Sequence, residues 1–414
     1  MSEKKALYIS KSKNIKYLVC INNKTQQYEI YDLNNDDRQI KDKQIIKKIE
    51  TLFKKKFNSI GNNAENWIRK TYPENVMTVT EFDEKYTKIQ IGEGKDSIVY
   101  KIRKRTTGEI YASKVLKIDD IIIEGDEESQ KESIAKYQHT IDEKFNEIKI
   151  MQKIKDYSCK HHVVCIEDFY FVYELNGDNG IVLYLYIIED YISGGSLRFI
   201  FDQNEPKTYL SSKQIQTLAI SLFESVAFLH KIGIYHQDLH LNNILFKFST
   251  IRTISQIDFN NIFVVDYGLS IFKSMDISFM QYLRIIHSPQ IRDIIYKEED
   301  KQYISKYPDY IEKNDIWALC VILFEIITFK DFIPNVSYLF EYPEEYTSPY
   351  ESSYLDTAPY YKENSYIINL INRVLFQKIK RDEEGLIVLN IPSAMEILKI
   401  LDSKKAKEIY NLEK

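Results

Sequence analysis

The dominant spacing of apolar residues in this 414-residue chain changes at Ser193-Gly194-Gly195-Ser196, and that change constrains the fold more than any other feature. From about Phe82 to Tyr186 the pattern is that of strands interrupted by one long helix, and from Leu197 onward it is mainly helical. Such a chain builds an α+β fold: a small β-rich lobe joined by a short glycine link to a larger helical lobe. The cleft between two lobes of this kind is a common place for a small ligand.

Composition narrows the class. A hydrophobic content of 44% is ordinary for a globular chain, and 414 residues suffice for two or three lobes with real cores. The net charge of −5 is uneven: residues 1 to 80 hold sixteen Lys/Arg against nine Asp/Glu, a local excess of +7. Basic charge confined to one segment argues against a nucleic-acid partner. The start MSEKKALYIS lacks the apolar core of a signal peptide, and no apolar run is long enough for a transmembrane segment. Four cysteines (Cys20, Cys159, Cys165, Cys320) are too few and scattered for a disulfide scaffold, so the expected setting is a reducing, cytoplasmic one.

Residues 6 to 32 alternate as a hairpin would, Tyr17 to Ile21 and Tyr28 to Tyr31 flanking the turn-like Asn22-Asn23-Lys24. A basic amphipathic helix is predicted over 38–57, with Ile45, Ile49, Leu52 and Phe53 on one face. Its lysines suit an acidic partner or an acidic membrane surface; the plainer reading docks its apolar stripe on the neighbouring lobe. Two stretches read as surface insertions, Gly125 to Ser129 and the Tyr-rich acidic run from Asn335 to Tyr361.

Chemistry concentrates behind a predicted helix that opens on the capping box Ser211-Ser212-Lys213-Gln214. There His236-Gln237-Asp238-Leu239-His240-Leu241-Asn242-Asn243 sets an acid and an amide five residues apart, and a second acid follows in Asp266-Tyr267-Gly268. Asp266 with Asn243 is the partial oxygen cage that a hard cation such as Mg2+ prefers. Upstream, Ile91-Gly92-Glu93-Gly94-Lys95-Asp96-Ser97-Ile98-Val99 reads as a glycine turn between strands, followed by Tyr111-Ala112-Ser113-Lys114-Val115 and by Glu147 on an amphipathic helix.

In this order the pieces resemble the eukaryotic protein kinase family, from about Lys85 to Leu401. The resemblance implies two cofactors, ATP and Mg2+, with Lys114 on the phosphates, Glu147 as its ion-pair partner, and Asp238 orienting the attacking hydroxyl. It places Asn243 and Asp266 on the metal. The nucleotide would be held by Ile91, Gly92, Gly94, Ser97, Val99, Ala112 and Lys114, with Asp190, Ile192 and Leu245 across from them. Asn314-Asp315-Ile316-Trp317 resembles the segment whose acid holds the catalytic loop's backbone. The implied division is an appended module over 1–80, a β-rich N-lobe over 85–192 and a helical C-lobe over 193–405.

The chain departs from that family at linked positions. Gln237 replaces the Arg that pairs with an activation-loop phosphate, so Ser270, Ser274, Ser278 and Tyr282 are not expected to act as an on-switch. His240 stands where Ser/Thr kinases place the Lys that neutralises the transferred phosphate; an imidazole brings no fixed charge, and slower or pH-sensitive turnover is expected. Leu283 replaces a Thr, and Gln290 with Ile391 replaces both ends of a buried ion pair. Glu189, before Asp190-Tyr191-Ile192, falls at the gatekeeper position. Cys159, His161, His162 and Cys165 offer four zinc-type ligands, but strand alternation would spread them over two faces, and the family resemblance makes this the turn after the Glu147 helix.

The expected function is an ATP-dependent protein kinase acting on a protein substrate, with Ser or Thr as the acceptor. A pseudokinase scaffold and a small-molecule kinase of the choline or aminoglycoside type remain alternatives, the latter because its catalytic loop also reads H-x-D-L-H-x-x-N.

Overall fold

A computed structural model describes residues 4–10, 15–21, 28–32, 38–39, 63–274 (except 95, 124–125, 177–179, 204–208, 249 and 252), 308–332, 355, 362–376, 380–381, 387–388 and 390–412. The expected α+β class is what is found. Two compact units are present: residues 1–79, 117–140 and 171–184 form one, and residues 80–116, 141–170 and 185–414 form the other.

In the first unit, β1 (Lys4–Ser10), β2 (Ile15–Ile21), β3 (Tyr28–Asp32) and β4 (Arg38–Gln39) pair in sequence order as an antiparallel sheet. Tyr17 to Ile21 oppose Tyr28 to Asp32, as the alternation indicates. Arg38 and Gln39 belong to this sheet and do not begin the basic helix expected there; the rest of that helix lies outside the described residues. A helix over 63–71 (α1) follows, and β5 (Val76–Thr78) pairs in parallel with Phe171 to Tyr173. Arg69 and Glu65 of α1 both bond the Tyr173 hydroxyl, at 2.8 and 2.6 Å, so the helix is held by polar contacts as well as by the Tyr72 ring on Phe171.

A six-stranded sheet runs in the order β5, β9, β10, β8, β7, β6, where β6 is Tyr86–Glu93, β7 Ser97–Lys104, β8 Ile110–Ile121, β9 Ile166–Asn176 and β10 Gly180–Asp190. The glycine turn joins β6 to β7, with a register shift between Gln90 and Gly92. The short helix α2 (Val79–Lys85) leads into β6, and the long helix α3 (Glu127–Tyr157) carries Glu147. Glu127, Glu128 and Ser129, read from sequence as part of an inserted loop, are its first turn: acidic residues there are favoured by the positive end of the helix.

Gly194 makes the link between strands and helices possible. Its amide donates to the Phe246 carbonyl at 3.0 Å, and a Cβ added there would meet that oxygen at 2.2 Å, so only glycine permits the approach. Beyond α4 (Leu197–Gln203), α5 (Ser212–Lys231) opens on the capping box: Ser211 Oγ accepts from the Gln214 amide, and Gln214 Oε1 accepts from the Ser211 amide at 3.0 Å. Leu218, Leu222, Phe223, Val226 and Phe228 of α5 are fully buried, each contributing roughly 1.5–3 kcal/mol to the helical core. The short strands β11 (Ile234–Tyr235), β12 (Ile244–Phe246), β13 (Ile262–Val264) and β14 (Ile271–Phe272) pair as β11 with β14 and β12 with β13. Helices α6 (Pro308–Thr328), α7 (Ser365–Leu375), α8 (Ala394–Leu401) and α9 (Ser403–Tyr410) complete the described fold. Among the described residues no helix is long and apolar enough to cross a membrane.

One cysteine pair meets despite the scattered spacing. Cys159 and Cys165 are joined by a disulfide across the turn between α3 and β9; the turn is where the family resemblance puts this stretch, and the bond corrects the reading of the four cysteines as a reduced set. Inside this loop His161 and His162 turn toward Glu224 of α5, at 3.0 and 3.4 Å. Leu283, Gln290, Ser278, Tyr282 and most of the Tyr-rich run lie outside the described residues.

Candidate active site

A cavity of about 280 Å³ opens within the second unit. Ile91, Val99, Ala112, Leu245 and Val265 give it apolar walls, and Gly92 and Ser97 bring in the backbone of the glycine turn. Its polar lining is Lys114, Glu189, Asn243 and Asp266, with Asp190 and Ile192 on the segment leaving β10. Of the sequence-predicted residues, Gly94, Glu147, Asp238 and His240 are not in the lining. Gly94 closes the turn, its amide donating to the Ser97 carbonyl at 2.8 Å. Tyr191, Gly195 and Val265 line the cavity without having been singled out; they flank predicted positions, and nothing in their own chemistry marks them.

Lys114 is the centre of the charge. Its Nζ donates to Glu147 Oε1 at 2.8 Å, to Glu147 Oε2 at 3.1 Å and to Asp266 Oδ1 at 2.7 Å. Burial alone would favour the neutral amine, but the two carboxylates outweigh it and hold the ammonium above the usual lysine range. For Asp266 burial acts upward and Lys114 more strongly downward, leaving its carboxyl below the usual carboxylate range. Asp266 takes a left-handed backbone, φ 66°, which an Asp tolerates, and its Oδ1 also accepts from the Gly268 amide at 3.2 Å.

Asn243 ends the short helical turn Leu241–Asn243. Its amide nitrogen donates to Asp238 O at 2.8 Å and to Asp238 Oδ2 at 3.1 Å, fixing the acid relative to the amide. That leaves Asn243 Oδ1 and Asp266 Oδ2 accepting no hydrogen bond from the described residues. Two hard oxygens facing one cavity fit a magnesium ion. His240 caps the same turn: its Nδ1 accepts from the Asn242 amide at 3.3 Å, and its Nε2 lies 3.2 Å from Asn243 Nδ2 and 3.6 Å from Asp238 Oδ1.

Behind this loop stands Asp315 of α6, 1% exposed, with four donors on its two oxygens. Oδ2 accepts from the His236 amide at 2.9 Å and faces His230 Nε2 at 2.8 Å; Oδ1 accepts from the Gln237 amide at 2.8 Å and from Gln237 Nε2 at 3.1 Å. The Gln237 side chain is fully buried. Its amide nitrogen also donates to the Ile311 carbonyl at 2.9 Å, and its oxygen accepts from Asn314 Nδ2 at 3.2 Å. These bonds hold Gln237 at φ 64°, a conformation that costs a non-glycine residue about 1 kcal/mol or more. Burial lowers the His236 pKa, so its ring stays neutral, donating from Nε2 to Val265 O at 3.1 Å. Burial also acts downward on His230, but Asp315 and Glu312 outweigh it and raise that pKa.

The chain matches the protein kinase domain over residues 86–381, well over half its length. It is similar to the serine/threonine-protein kinase CG17528 of Drosophila melanogaster, at 24% identity over 281 residues, 62% of this chain and 29% of that protein. Phosphorylase b kinase gamma catalytic chain, liver/testis isoform, of Mus musculus is 26% identical over 254 residues, 60% of this chain and 52% of that protein. Serine/threonine-protein kinase 33 of Mus musculus is 29% identical over 143 residues, 34% of this chain and 27% of that protein. The match thus spans less than a third of the Drosophila relative and about half of the phosphorylase kinase chain. With the family's ordered pieces in place around one cavity, the chain belongs to the protein kinase family.

Proposed function

We propose that this chain is an active, ATP-dependent kinase that phosphorylates a Ser or Thr hydroxyl of a protein substrate without requiring activation-loop phosphorylation. The observation that carries the reading is the position of Lys114, whose ammonium lines the apolar-walled cavity while ion-paired to Glu147 and Asp266. A cation with two carboxylates, beside the free Asn243 and Asp266 oxygens, is an arrangement suited to triphosphate and magnesium.

In this reading Ile91, Val99, Ala112 and Leu245 pack the flat base, while the amides of the Gly92 turn and Lys114 take the phosphates. Asn243 and Asp266 hold Mg2+, which when bound neutralises phosphate charge. Asp238, positioned by Asn243, orients the substrate hydroxyl and takes up its proton, and the His240 ring stands beside it. Phosphoryl transfer needs positioning and electrostatic stabilisation more than covalent help, so this set suffices. Independence from loop phosphorylation is supported by Gln237, every polar side-chain atom of which is already bonded to α6. Residues 1–80 are proposed as an appended module outside the catalytic domain.

Purified chain with radiolabelled ATP and magnesium, beside Asp266→Ala, tests this. Labelling of a protein substrate by wild type alone supports it; labelling only of a small metabolite, or no transfer by a folded chain, overturns it in favour of a small-molecule kinase or a scaffold.

A further inference from the structure

Glu189 lines the cavity and has no part in the proposed chemistry. It sits next to the end of β10, immediately before Asp190, Tyr191 and Ile192, and shares the lining with Val99, Ala112 and Lys114. Whereas Glu147 and Asp266 are each bonded to Lys114, no described residue hydrogen-bonds the Glu189 carboxyl. A bulky polar side chain without a partner, facing an apolar-walled cavity, is a costly arrangement unless a ligand completes it.

The form in which it faces that cavity follows from its surroundings. Burial pushes the carboxyl up to about 8; Lys114 opposes this, and the nearby carboxylates of Glu147, Asp266 and Asp190 reinforce it. Near neutral pH the group is therefore largely a neutral acid, with one O–H donor and one C=O acceptor. That pair has the same donor and acceptor pattern as a primary amide. Amide side chains recognise adenine by bonding its 6-amino group and N7 together.

We propose that Glu189 is a base-specificity residue: its carboxyl accepts from the amino group of the bound purine and donates to the adjacent ring nitrogen. The inference rests on the ATP reading of the same cavity and adds to it which edge of the base is read and by which residue. Guanine, with an oxygen in place of the amino group, presents two acceptors there and is disfavoured by the Glu189 carbonyl oxygen.

The test is calorimetric binding of ATP, 7-deaza-ATP and GTP, each with magnesium, to the full chain as wild type, Glu189→Gln and Glu189→Leu. Wild type should bind ATP about 10-fold more tightly than 7-deaza-ATP, which lacks the ring acceptor, and more tightly than GTP. Glu189→Gln, which keeps donor and acceptor without ionising, should retain that preference, and Glu189→Leu should bind ATP and 7-deaza-ATP alike. Equal wild-type affinity for those two nucleotides overturns the role of Glu189 and leaves the ATP reading standing. A folded wild type that binds neither removes the ATP reading and the proposal with it. The comparison of nucleotides on wild type needs no variant to fold.

Discussion

Two buried clusters of the second unit treat charge in opposite ways. Around Asp315 a lone carboxylate is saturated: its four hydrogen-bonding partners are two backbone amides, a neutral side-chain amide and His230. Around Lys114 an ammonium meets two carboxylates, and among the described residues one oxygen each of Asp266 and Asn243 is left without a donor. The first cluster is complete in the protein alone and serves to hold backbone. The second has excess negative charge and open oxygen sites, which in the proposed reading take a cation and phosphate. The difference explains which family residues this chain could replace: Gln237 belongs to the saturated cluster, where any neutral donor of the right reach will do, whereas Lys114, Glu147 and Asp266 have no neutral equivalents.

The largest effect should come from breaking the saturated cluster. Asp315→Ala removes the acceptor for two backbone amides and the Gln237 side chain and strands His230, in a place water does not reach. Loss of about 3–5 kcal/mol in chemical denaturation is expected. A loss under about 1 kcal/mol would mean that the cluster does not hold the fold, and the contrast with the Lys114 site would collapse.

Asp266→Asn should do the reverse, sparing the fold and stopping the chemistry. Lys114 keeps Glu147, and the amide oxygen can still accept from it, so the melting temperature should move little. Phosphate transfer should fall about 10²- to 10³-fold through loss of the metal-holding charge. Transfer within a few-fold of wild type would show that the unfilled oxygens are not where the cation binds.

Much of the second cluster could be read from the chain, because each of its members lies in a short ordered motif whose chemistry is explicit. Lys114 sits on a strand, Glu147 on a helix, and Asp238, Asn243 and Asp266 lie in one stretch. The contacts that fix the first cluster were less visible. Gln237 looked like a lost arginine, and only the approach of α6 shows its amide bonded to Ile311, Asn314 and Asp315. His230 meeting Asp315, Glu224 meeting His161 and His162, and the parallel pairing of Val76 to Thr78 with Phe171 to Tyr173 share this character. They join residues 62 to 95 positions apart that carry no local pattern. The disulfide was missed for a different reason: four scattered cysteines read as a reduced set, and only the tight turn between α3 and β9 shows that Cys159 and Cys165 meet.

Glu325 of α6 offers an intermediate case, a half-buried acid bonded among the described residues to no cation and to a single donor. Burial pushes its pKa up to about 7; its Oε1 accepts from the Phe332 amide at 3.1 Å, which opposes the shift only in part. A carboxyl raised from its ordinary 4.5 favours the folded state most when protonated. Its contribution is therefore fully present below pH 4.5 and is lost as pH rises through 7. The loss is at most roughly 3 kcal/mol. Glu325→Gln should flatten the fall in stability between pH 4.5 and 7 relative to wild type. Parallel wild-type and variant curves would show that the acid titrates normally.

The smallest expected effect is on the loop that the saturated cluster no longer controls. Ser274 is exposed just beyond β14, within the stretch where a phosphate would act as a switch if an arginine waited behind it. Gln237 occupies that place, neutral, fully buried and with its side-chain oxygen and nitrogen already bonded to α6. Freeing it to meet an anion would break three hydrogen bonds and gain none that is charge-assisted at both ends. Ser270 offers no alternative, since it is buried with its Oγ donating to the His236 carbonyl at 3.0 Å. Ser274→Glu should therefore change kcat/KM by less than about 2-fold, the scale of an exposed charge in water. A tenfold activation would place a cation within reach of residue 274 and make the loop a switch after all, with its partner outside the cluster around Asp315.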